Sequence, residues 1–384
     1  MNGEDPVGVD LARRIIDFGL TADDLGPRQY GAVAAAKSRR VLGLNWPQGL
    51  APTPTELAVE PDESDPLPKA DVLVVTWTIA EMLALADVLT PRVNPRTRWY
   101  RYTHRFDDYL PLIRKGAPSR IAGRLGSYYL TKIGSKKVLC LKSELHLNQD
   151  GIRTGAGKAT LPVEKFIEQA IGEVSPSLVI TVGTAGGTLD DAHLGDVMIT
   201  RAAQFRLADE FAQESFAKTK YVSPGTIKKK HLATATQLMQ THADQLQEPD
   251  LGPPTKFFDW QGPLIPGMKN TPKLLVEDRD FPKGMPILTT DFFEFGTSSN
   301  GLGDKGCGVE MGDAVFGKVA KKLGAAAPKW LVIRNASDPQ INGDLPIGSG
   351  GRNMQAHWAV WYYETYGYWT SVNSAIATWA MVAP

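Results

Sequence analysis

This sequence has few cysteines, and it also lacks an excess of charge, long hydrophobic runs and metal-binding patterns, which would each indicate a particular class of protein. The chain has 2 cysteines, Cys140 and Cys307, far apart in the sequence. A disulfide framework is therefore not expected, and a reducing compartment suits the chain. The formal net charge is +0 at pH 7, so overall charge predicts neither nucleic-acid binding nor attraction to a membrane.

Long hydrophobic runs are missing as well. No uninterrupted apolar run approaches the roughly 20 residues that a transmembrane helix needs. The first residues, MNGEDPVGVD, are acidic and lack the apolar core of a signal peptide. We therefore expect a cytoplasmic protein that does not bind membranes.

Patterns that hold metals or nucleotide cofactors are absent too. The 6 histidines show no His-x-x-x-His spacing, so a metal site is not expected. The segment GIRTGAGKAT lacks the first glycine and the final hydroxyl residue of a phosphate-binding loop, which argues against an ATPase. No Gly-x-Ser-x-Gly motif indicates an acyl-transfer nucleophile. We expect neither a metal nor a cofactor.

The sequence does contain apolar, β-branched runs that alternate with helical patterns. The runs DVLVVTW, SLVITV and KWLVIRNAS predict buried strands, and TIAEMLALADVL and LPVEKFIEQAIGEV predict helices. YYLTKI and KKVLCLKS, joined around Gly134, predict a hairpin. Such alternation is typical of an α/β protein whose sheet is covered by helices on both faces.

Composition divides the chain into an extension and a main domain. Residues 1–69 combine helical patterns with a stretch rich in proline and acid, and residues 70–384 form the predicted catalytic domain. Two segments look inserted, at about 92–142 and 206–285. The first interleaves arginines with aromatic residues (RTRWYRYTHRF), and we interpret it as a flap or subunit interface rather than a nucleic-acid surface.

Small or acidic residues follow several predicted strands. VITVGTAGG ends an apolar run in glycines, Glu81 follows DVLVVTW, Asp291 follows MPILTT, and Asp338 ends KWLVIRNASD. Ligands of α/β proteins bind at the carboxyl ends of the strands. A carboxyl buried there has a raised pKa and can hold a proton for general-acid work. We therefore expect these strand ends to converge on one cavity.

The series VVTWTIAEM, SLVITVGTAGGTLDDAHLGDVMIT, ILTTDFFEF and GVEMGDAVFGKVAKKLGAAAPKWLVIRNASD resembles the nucleoside phosphorylase and nucleosidase superfamily. This superfamily includes purine nucleoside phosphorylases and methylthioadenosine/S-adenosylhomocysteine nucleosidases. The resemblance runs from about Asp71 to Asp338, with interruptions. It implies the phosphorylase/hydrolase-like three-layer fold, with a central twisted mixed sheet flanked by helices. It also implies cleavage of the N-glycosidic bond of a purine-type nucleoside or nucleotide.

The resemblance also implies roles for individual residues. Asp338 matches the general acid that protonates the purine base, and Glu81 matches the acid that activates the attacking water. The remaining implied ligand-binding residues are the backbone platform of Thr184, Ala185 and Gly186, the base-stacking Phe293 with Phe292 as its alternative, and Met311 under the ribose.

One motif departs from the family pattern. Where nucleosidases and hexameric phosphorylases usually have Val-Glu-Met-Glu, this chain has Val309-Glu310-Met311-Gly312, followed by Asp313. The second glutamate of the usual motif holds the ribose hydroxyls. Asp313 or Glu310 is a candidate replacement, and a non-catalytic nucleoside-binding or sensor protein is the alternative.

Hydrolysis is favoured over phosphorolysis by the first strand end. The segment Thr76–Ala80 contains no arginine, and Glu81 would repel phosphate. Phosphate remains a possible second ligand, because Arg201, Arg206 and the basic segment could supply positive charge. The expected partners are a small-molecule nucleoside or nucleotide and further copies of the chain, because family members often form homo-oligomers. Nucleic acid is not expected as a partner.

Overall fold

A computed structural model describes residues 42–243, 271–345 and 353–384. The predicted helices before residue 42 and part of the segment 206–285 lie outside the described residues. The strands are β1 (Thr53–Thr55), β2 (Val72–Thr76), β3 (Tyr100–Tyr102), β4 (Gly126–Ile133), β5 (Lys136–Ser143), β6 (Arg153–Gly155), β7 (Lys158–Ala159), β8 (Leu178–Gly187), β9 (Val197–Thr200), β10 (Ala202–Phe205), β11 (Lys220–Val222), β12 (Leu274–Val276), β13 (Ile287–Thr289), β14 (Gly308–Glu310) and β15 (Lys329–Asp338).

Helices flank these strands in the sequence. They are α1 (Ile79–Leu89), α2 (Pro95–Arg98), α3 (Pro118–Ala122), α4 (Pro162–Val174), α5 (Leu232–Ala243), α6 (Ala314–Leu323) and α7 (Met354–Val382), with short 3-10 turns at Phe106–Asp108, Leu110–Leu112 and Gly324–Ala326. The α/β class expected from the alternating patterns is confirmed.

Strand β2 shows why the sheet has helices on both faces. Val72 and Val74 point into one core cluster, where α1, α5 and α7 pack. Leu73 and Val75 point into the other, which contains residues of α4 and α6. Because successive side chains of a strand alternate between faces, an uninterrupted apolar strand needs a hydrophobic layer on each side. Three layers follow from this requirement.

A mixed sheet of 13 strands forms the middle layer. Its path runs β1-β4-β5-β2-β8-β14-β13-β10-β11, and β15 pairs with both β8 and β9. The central strands β5, β2, β8 and β15 are parallel. Strands β4 and β5 form the predicted antiparallel hairpin. The parallel strands bring their carboxyl ends, and the residues that follow them, to one edge of the sheet.

Both predicted insertions contribute to this sheet. Strand β4 and all but the last residue of β5 arise within the basic segment 92–142, and β11 and β12 arise within 206–285. Residues 53–55 of the proline-rich segment also pair with β4. The segments that looked inserted therefore supply strands as well as loops, because hydrophobic residues such as Val138 and Leu139 are fully buried in β5.

The aromatic C-terminal segment forms the single long helix α7. Its second half, including Ala375, Ile376 and Trp379, is buried against α1 and the sheet, so it belongs to the core. Among the described residues, no helix is long and apolar enough to cross a membrane. The predicted homo-oligomer stays a prediction.

Candidate active site

A single cavity lies where the strand ends converge, and it collects most of the residues predicted from the sequence. The predicted residues that line it are Glu81, Thr184, Ala185, Gly186, Phe293, Glu310, Met311 and Asp338. Phe292 and Asp313 do not line it. The expectation that Asp338, Glu81 and the small-residue stretch face one cavity is met by this geometry.

The small-residue stretch is a strand, not a turn. Strand β8 continues through Gly183 to Gly187, which corrects the expectation that the strand stops at the glycines. It continues because both sides are paired: β15 runs parallel to it, and β14 pairs antiparallel with Gly186 and Gly187. The small residues admit close neighbours. A side chain at position 183 would begin 2.2 Å from Oε1 of Glu81.

Glu81 is held by hydrogen bonds from two strand ends. Its Oε2 accepts from Thr76 Oγ1 (2.9 Å) and from the backbone N–H groups of Trp77 (3.0 Å) and Thr78 (2.9 Å). Its Oε1 accepts from the N–H and the hydroxyl of Thr184, each at 2.8 Å. Glu81 and Thr78 also form a capping box at the start of α1.

These contacts decide the charge of Glu81. Burial alone would raise its pKa, but the positive charge of Arg334 and the backbone N–H donors outweigh burial and hold the pKa below its ordinary value. Glu81 is therefore an ionised carboxylate whose two oxygens already accept five hydrogen bonds.

Arg334, in the middle of β15, is the cation of the cavity wall. It is 3% exposed, and its guanidinium binds both carboxylate oxygens of Asp313. It also reaches Glu310 Oε2 (3.3 Å) and lies 3.7 Å from Glu81 Oε1. Although burial opposes its charge, Asp313 and Glu310 keep the pKa of Arg334 above its ordinary value. Asp313 therefore neutralises Arg334 instead of facing the cavity.

The pKa of Glu310 is raised, whereas that of Glu81 is lowered. Burial and the neighbouring Asp313 raise the pKa of Glu310 to about 8, although Arg334 opposes the shift. It accepts hydrogen bonds from the hydroxyl of Thr289 and from the N–H of Asp313. Glu310 therefore holds a proton more readily than Glu81 does.

Asp338, at the end of β15, is the other carboxyl with a raised pKa. Burial raises the pKa of Asp338 to about 7, while a hydrogen bond from Ser337 Oγ at 2.8 Å opposes the rise. Because no cation pairs with it among the described residues, Asp338 retains a proton on a substantial share of molecules at neutral pH. It also touches the platform, since a Cβ at Gly186 would lie 3.0 Å from Asp338 Oδ2.

Aromatic residues form part of the cavity wall. Phe293 lines the cavity, and its ring packs against Phe295 with the centroids 5.5 Å apart. Tyr363, from α7, lines it as well. Phe293, rather than Phe292, is therefore in position to stack on a flat ring. Phe292 instead contributes its carbonyl oxygen to a hydrogen bond from Thr290.

Trp77 occupies the space next to the glycine that departs from the family motif. A Cβ at Gly312 would lie 3.2 Å from Cζ2 of the Trp77 indole, and both residues line the cavity. The same indole packs on the guanidinium of Arg334, 4.9 Å from the ring centroid. The indole therefore stands where a longer side chain at position 312 would extend.

Sequence reasoning missed several residues of the cavity wall. They are Trp77, His146, Asn148, Gln149, Glu294, Arg334 and Tyr363. One signal for Arg334 was available, because an arginine inside an apolar strand requires buried anionic partners. The loop that supplies residues 146, 148 and 149 carries no comparable signal.

Other acids and arginines at strand ends have structural roles. Asp291 accepts backbone N–H groups of Ala208, Asp209 and Phe211, so it fixes a loop. Arg201 is paired with the buried Glu277. Arg206 binds Glu294, which lines the cavity. No group of three or more potential metal ligands occurs in the part of the chain that the structure describes.

Comparison with solved structures finds similar folds among nucleosidases. The 5′-methylthioadenosine/S-adenosylhomocysteine nucleosidase of Neisseria meningitidis, in complex with methylthio-immucillin-A, is 15% identical, with 81% of this chain and 98% of that chain covered at a TM-score of 0.44. The corresponding enzyme of Colwellia psychrerythraea, in complex with adenine, is 13% identical, with 82% and 95% covered at 0.44.

Futalosine hydrolase of Helicobacter pylori is 12% identical, with 81% of this chain and 96% of that chain covered at a TM-score of 0.43. These proteins are nucleosidases, the family whose motifs the sequence resembles. At such identities the likeness concerns the fold alone. No protein-family model matches the chain, and no curated protein matches it.

Proposed function

We propose that the protein hydrolyses the N-glycosidic bond of a purine-type nucleoside. The observation that carries the proposal is that Asp338, Glu81 and the strand Thr184–Gly186 line one cavity. One carboxyl there has a raised pKa and the other a lowered pKa. Glycosidic cleavage uses such a pair, since an acid must protonate the leaving group while an anion stabilises the cationic sugar.

Asp338 is the proposed general acid. The base lies against Phe293 and the strand Thr184–Gly186, and Asp338 gives its proton to a ring nitrogen. The electron pair of the breaking C–N bond goes to the base, which leaves as a neutral molecule, and the sugar becomes an oxocarbenium ion. A pKa of about 7 suits this task, because the group is partly protonated and still acidic at neutral pH.

Glu81 is the proposed water-orienting group. Its Oε1 accepts from the Thr184 hydroxyl, the donor that an attacking water would replace. A strong base is not required, since the sugar is already cationic when water attacks. As the C–O bond forms, the water passes one proton to the carboxylate of Glu81, which then releases it to solvent. The fixed negative charge of Glu81 would stabilise that cation.

The charge balance supports water over phosphate as the nucleophile. Within the described residues, Arg334 is the one arginine or lysine that lines the cavity, and Asp313 and Glu310 occupy its guanidinium. A phosphate would therefore meet Glu81 and Glu294 without an unpaired cation to bind it.

Incubation with a panel of nucleosides and nucleotides, with and without phosphate, tests the proposal. We expect free base and free sugar in the absence of phosphate. Phosphate-dependent release with a sugar-1-phosphate product would instead establish phosphorolysis. Thermal stabilisation by a nucleoside without any release of base would establish the alternative of a nucleoside-binding or sensor protein.

A further inference from the structure

The loop 144–150, which follows β5, forms a polar wall of the cavity. His146, Asn148 and Gln149 all line the cavity. They are buried, at 7%, 2% and 8% exposure. Most loop residues lie at the surface, so three buried polar side chains in one loop call for hydrogen-bond partners.

Hydrogen bonds from outside the cavity-lining side chains fix the backbone of this loop. Asp150 accepts a hydrogen bond from the N–H of His146 at 2.6 Å. Arg114 donates to the carbonyl oxygens of Asn148 (2.7 Å) and Gln149 (2.6 Å). The side chains of His146 and Gln149 are therefore not needed to fix the loop in place.

Two buried atoms of the loop lack a hydrogen-bond partner among the described residues. They are Nε2 of His146 and Oε1 of Gln149. The loop lies beside Met311, since Asn148 Nδ2 is 3.8 Å from the Met311 sulfur. Met311 follows Glu310 in the wall, and the sequence resemblance implies that Met311 lies under the ribose. The two atoms thus belong to the sugar side of the proposed site.

The polar wall carries no free charge that would attract an ionised group. Burial and the nearby Lys142 lower the pKa of His146 to about 3, so its imidazole is neutral. Lys142 itself is paired with Glu144. An uncharged donor or acceptor on the ligand is therefore the matching chemistry.

We propose that His146 and Gln149 form a subsite for a sugar hydroxyl of the substrate, at the end away from the base that Asp338 protonates. This inference rests on the proposed function. A thioalkyl group in the same place has no O–H or N–H to donate to either atom, and a phosphate finds no unpaired cation there.

Steady-state kinetics with adenosine, 5′-deoxyadenosine, 3′-deoxyadenosine, 5′-methylthioadenosine and adenosine 5′-phosphate tests the subsite. We expect kcat/KM for adenosine to exceed that for at least one deoxy compound by about tenfold, as one neutral hydrogen bond gives. The deoxy compound with the lowered kcat/KM identifies the hydroxyl that binds in the subsite. The methylthio and phosphate compounds are expected to be poorer than adenosine.

Two variants test whether the loop causes the preference for adenosine over the deoxy compound. Gln149→Met and His146→Leu remove the polar atoms at similar size, and each should lower kcat/KM for adenosine about tenfold, mainly through KM. Each should change kcat/KM for the sensitive deoxy compound less than twofold. His146→Asn should restore part of the preference. Lys158→Ala, at an exposed position beyond the loop, is the control and should behave as wild type.

Equal losses for all the nucleosides in both variants would overturn the subsite, as would a wild-type preference for 5′-methylthioadenosine. If no compound yields free base, the proposed function fails. The shift in melting temperature caused by adenosine and by the deoxy compounds then tests the subsite. If adenosine stabilises the wild type more than the deoxy compounds do, and the two variants lose this difference, the subsite is supported. Equal stabilisation by all the compounds overturns it. Thermal unfolding without ligand confirms that each variant is folded.

Discussion

Arg334 donates hydrogen bonds from Nε and Nη2 to the two carboxylate oxygens of Asp313, at 2.8 and 2.6 Å. Both side chains are buried, at 3% and 0% exposure. The pair joins the residue that precedes α6 to the middle of β15, and its geometry removes Asp313 from the cavity. A buried pair of this kind matters most when one partner is removed, because the other charge is then left without compensation.

Removal of either partner should therefore be costly for stability. We expect Asp313→Asn and Arg334→Met each to lower the free energy of unfolding by about 3–5 kcal/mol. The double variant should lose less than the sum of the two, because neither member of the pair is then left opposite a missing partner. Urea unfolding measures all three values. The exposed pair Arg98–Glu56, also at 2.8 Å, is the control and should contribute less than about 1 kcal/mol. Additive losses in the buried pair would contradict this account.

Asp338→Asn should abolish most of the turnover and leave binding nearly unchanged. The amide keeps the shape and can still accept from Ser337, but it cannot give a proton to the base. Loss of a general acid lowers kcat by about 10²–10⁴-fold. Single-turnover measurement of base release checks the loss of turnover, and calorimetry checks that ligand binding is nearly unchanged. Ser337→Ala, which removes the neighbouring hydroxyl, should have a smaller effect on kcat.

The pH dependence of activity and stability should share one cause at Asp338. Its pKa is raised from 3.8 to about 7, so base release should fall as pH rises above about 7. The raised pKa also means that the folded state holds the proton more tightly than the unfolded state. The stability contributed by that proton is complete below pH 3.8 and is lost as pH rises toward about 7.

Asp338→Asn removes this titration, so its stability relative to wild type should increase between pH 4 and pH 7. Thermal unfolding of both proteins across this range measures the difference. A constant difference across the range would show that the carboxyl does not retain its proton in the folded protein.

Glu81→Gln should cost both stability and turnover. Donors surround both oxygens of Glu81, from Trp77 and Thr78 on one side and from Thr184 on the other. An amide must place its NH₂ group against one of these sets, so one buried donor loses its acceptor. We expect a loss of about 1–3 kcal/mol in unfolding free energy. Thr78→Ser, which keeps the capping hydroxyl, is the matched control and should stay close to wild type.

Gly186→Ala tests whether bare backbone is needed at the cavity. Its added methyl would lie 3.0 Å from Asp338 Oδ2 and 3.1 Å from Val309 Cγ1, so it would crowd the acid and the ligand space. We expect kcat/KM to fall at least tenfold, since a misplaced catalytic group costs about that much or more. Gly155→Ala, where nothing lies within 4 Å of the new methyl, is the control. Full activity in the Gly186 variant would remove the platform from the mechanism.

Much of the fold could be read from local patterns. The apolar runs at Val72–Thr76 and Lys329–Asp338 are strands, and the pattern ending at Val174 is a helix, as their periodicity predicts. These elements depend on neighbours in the chain, namely which positions are apolar and which residues cap a helix. Asp338 ends a buried apolar run and Glu81 lies in the first turn of the helix after one, and the resemblance of these motifs implied their roles.

The continuation of β8 through its glycines could not be read in this way. Glycine is a poor strand former by itself, and Gly186 is extended because β14 and β15 pair with it from both sides. Likewise, the hairpin pattern predicted β5 but not its central place in the sheet, which depends on its parallel pairing with β2.

The sequence by itself determined which strands are buried on both faces and which acids stand at their ends. Tertiary structure alone decided that Asp313 binds Arg334, that Phe293 rather than Phe292 faces the cavity, and that His146 reaches the same wall. The physical reason is range: periodicity and capping act between residues a few positions apart. Sheet register and charge pairing join residues separated by long stretches of chain, and these set the pKa values and the shape of the site.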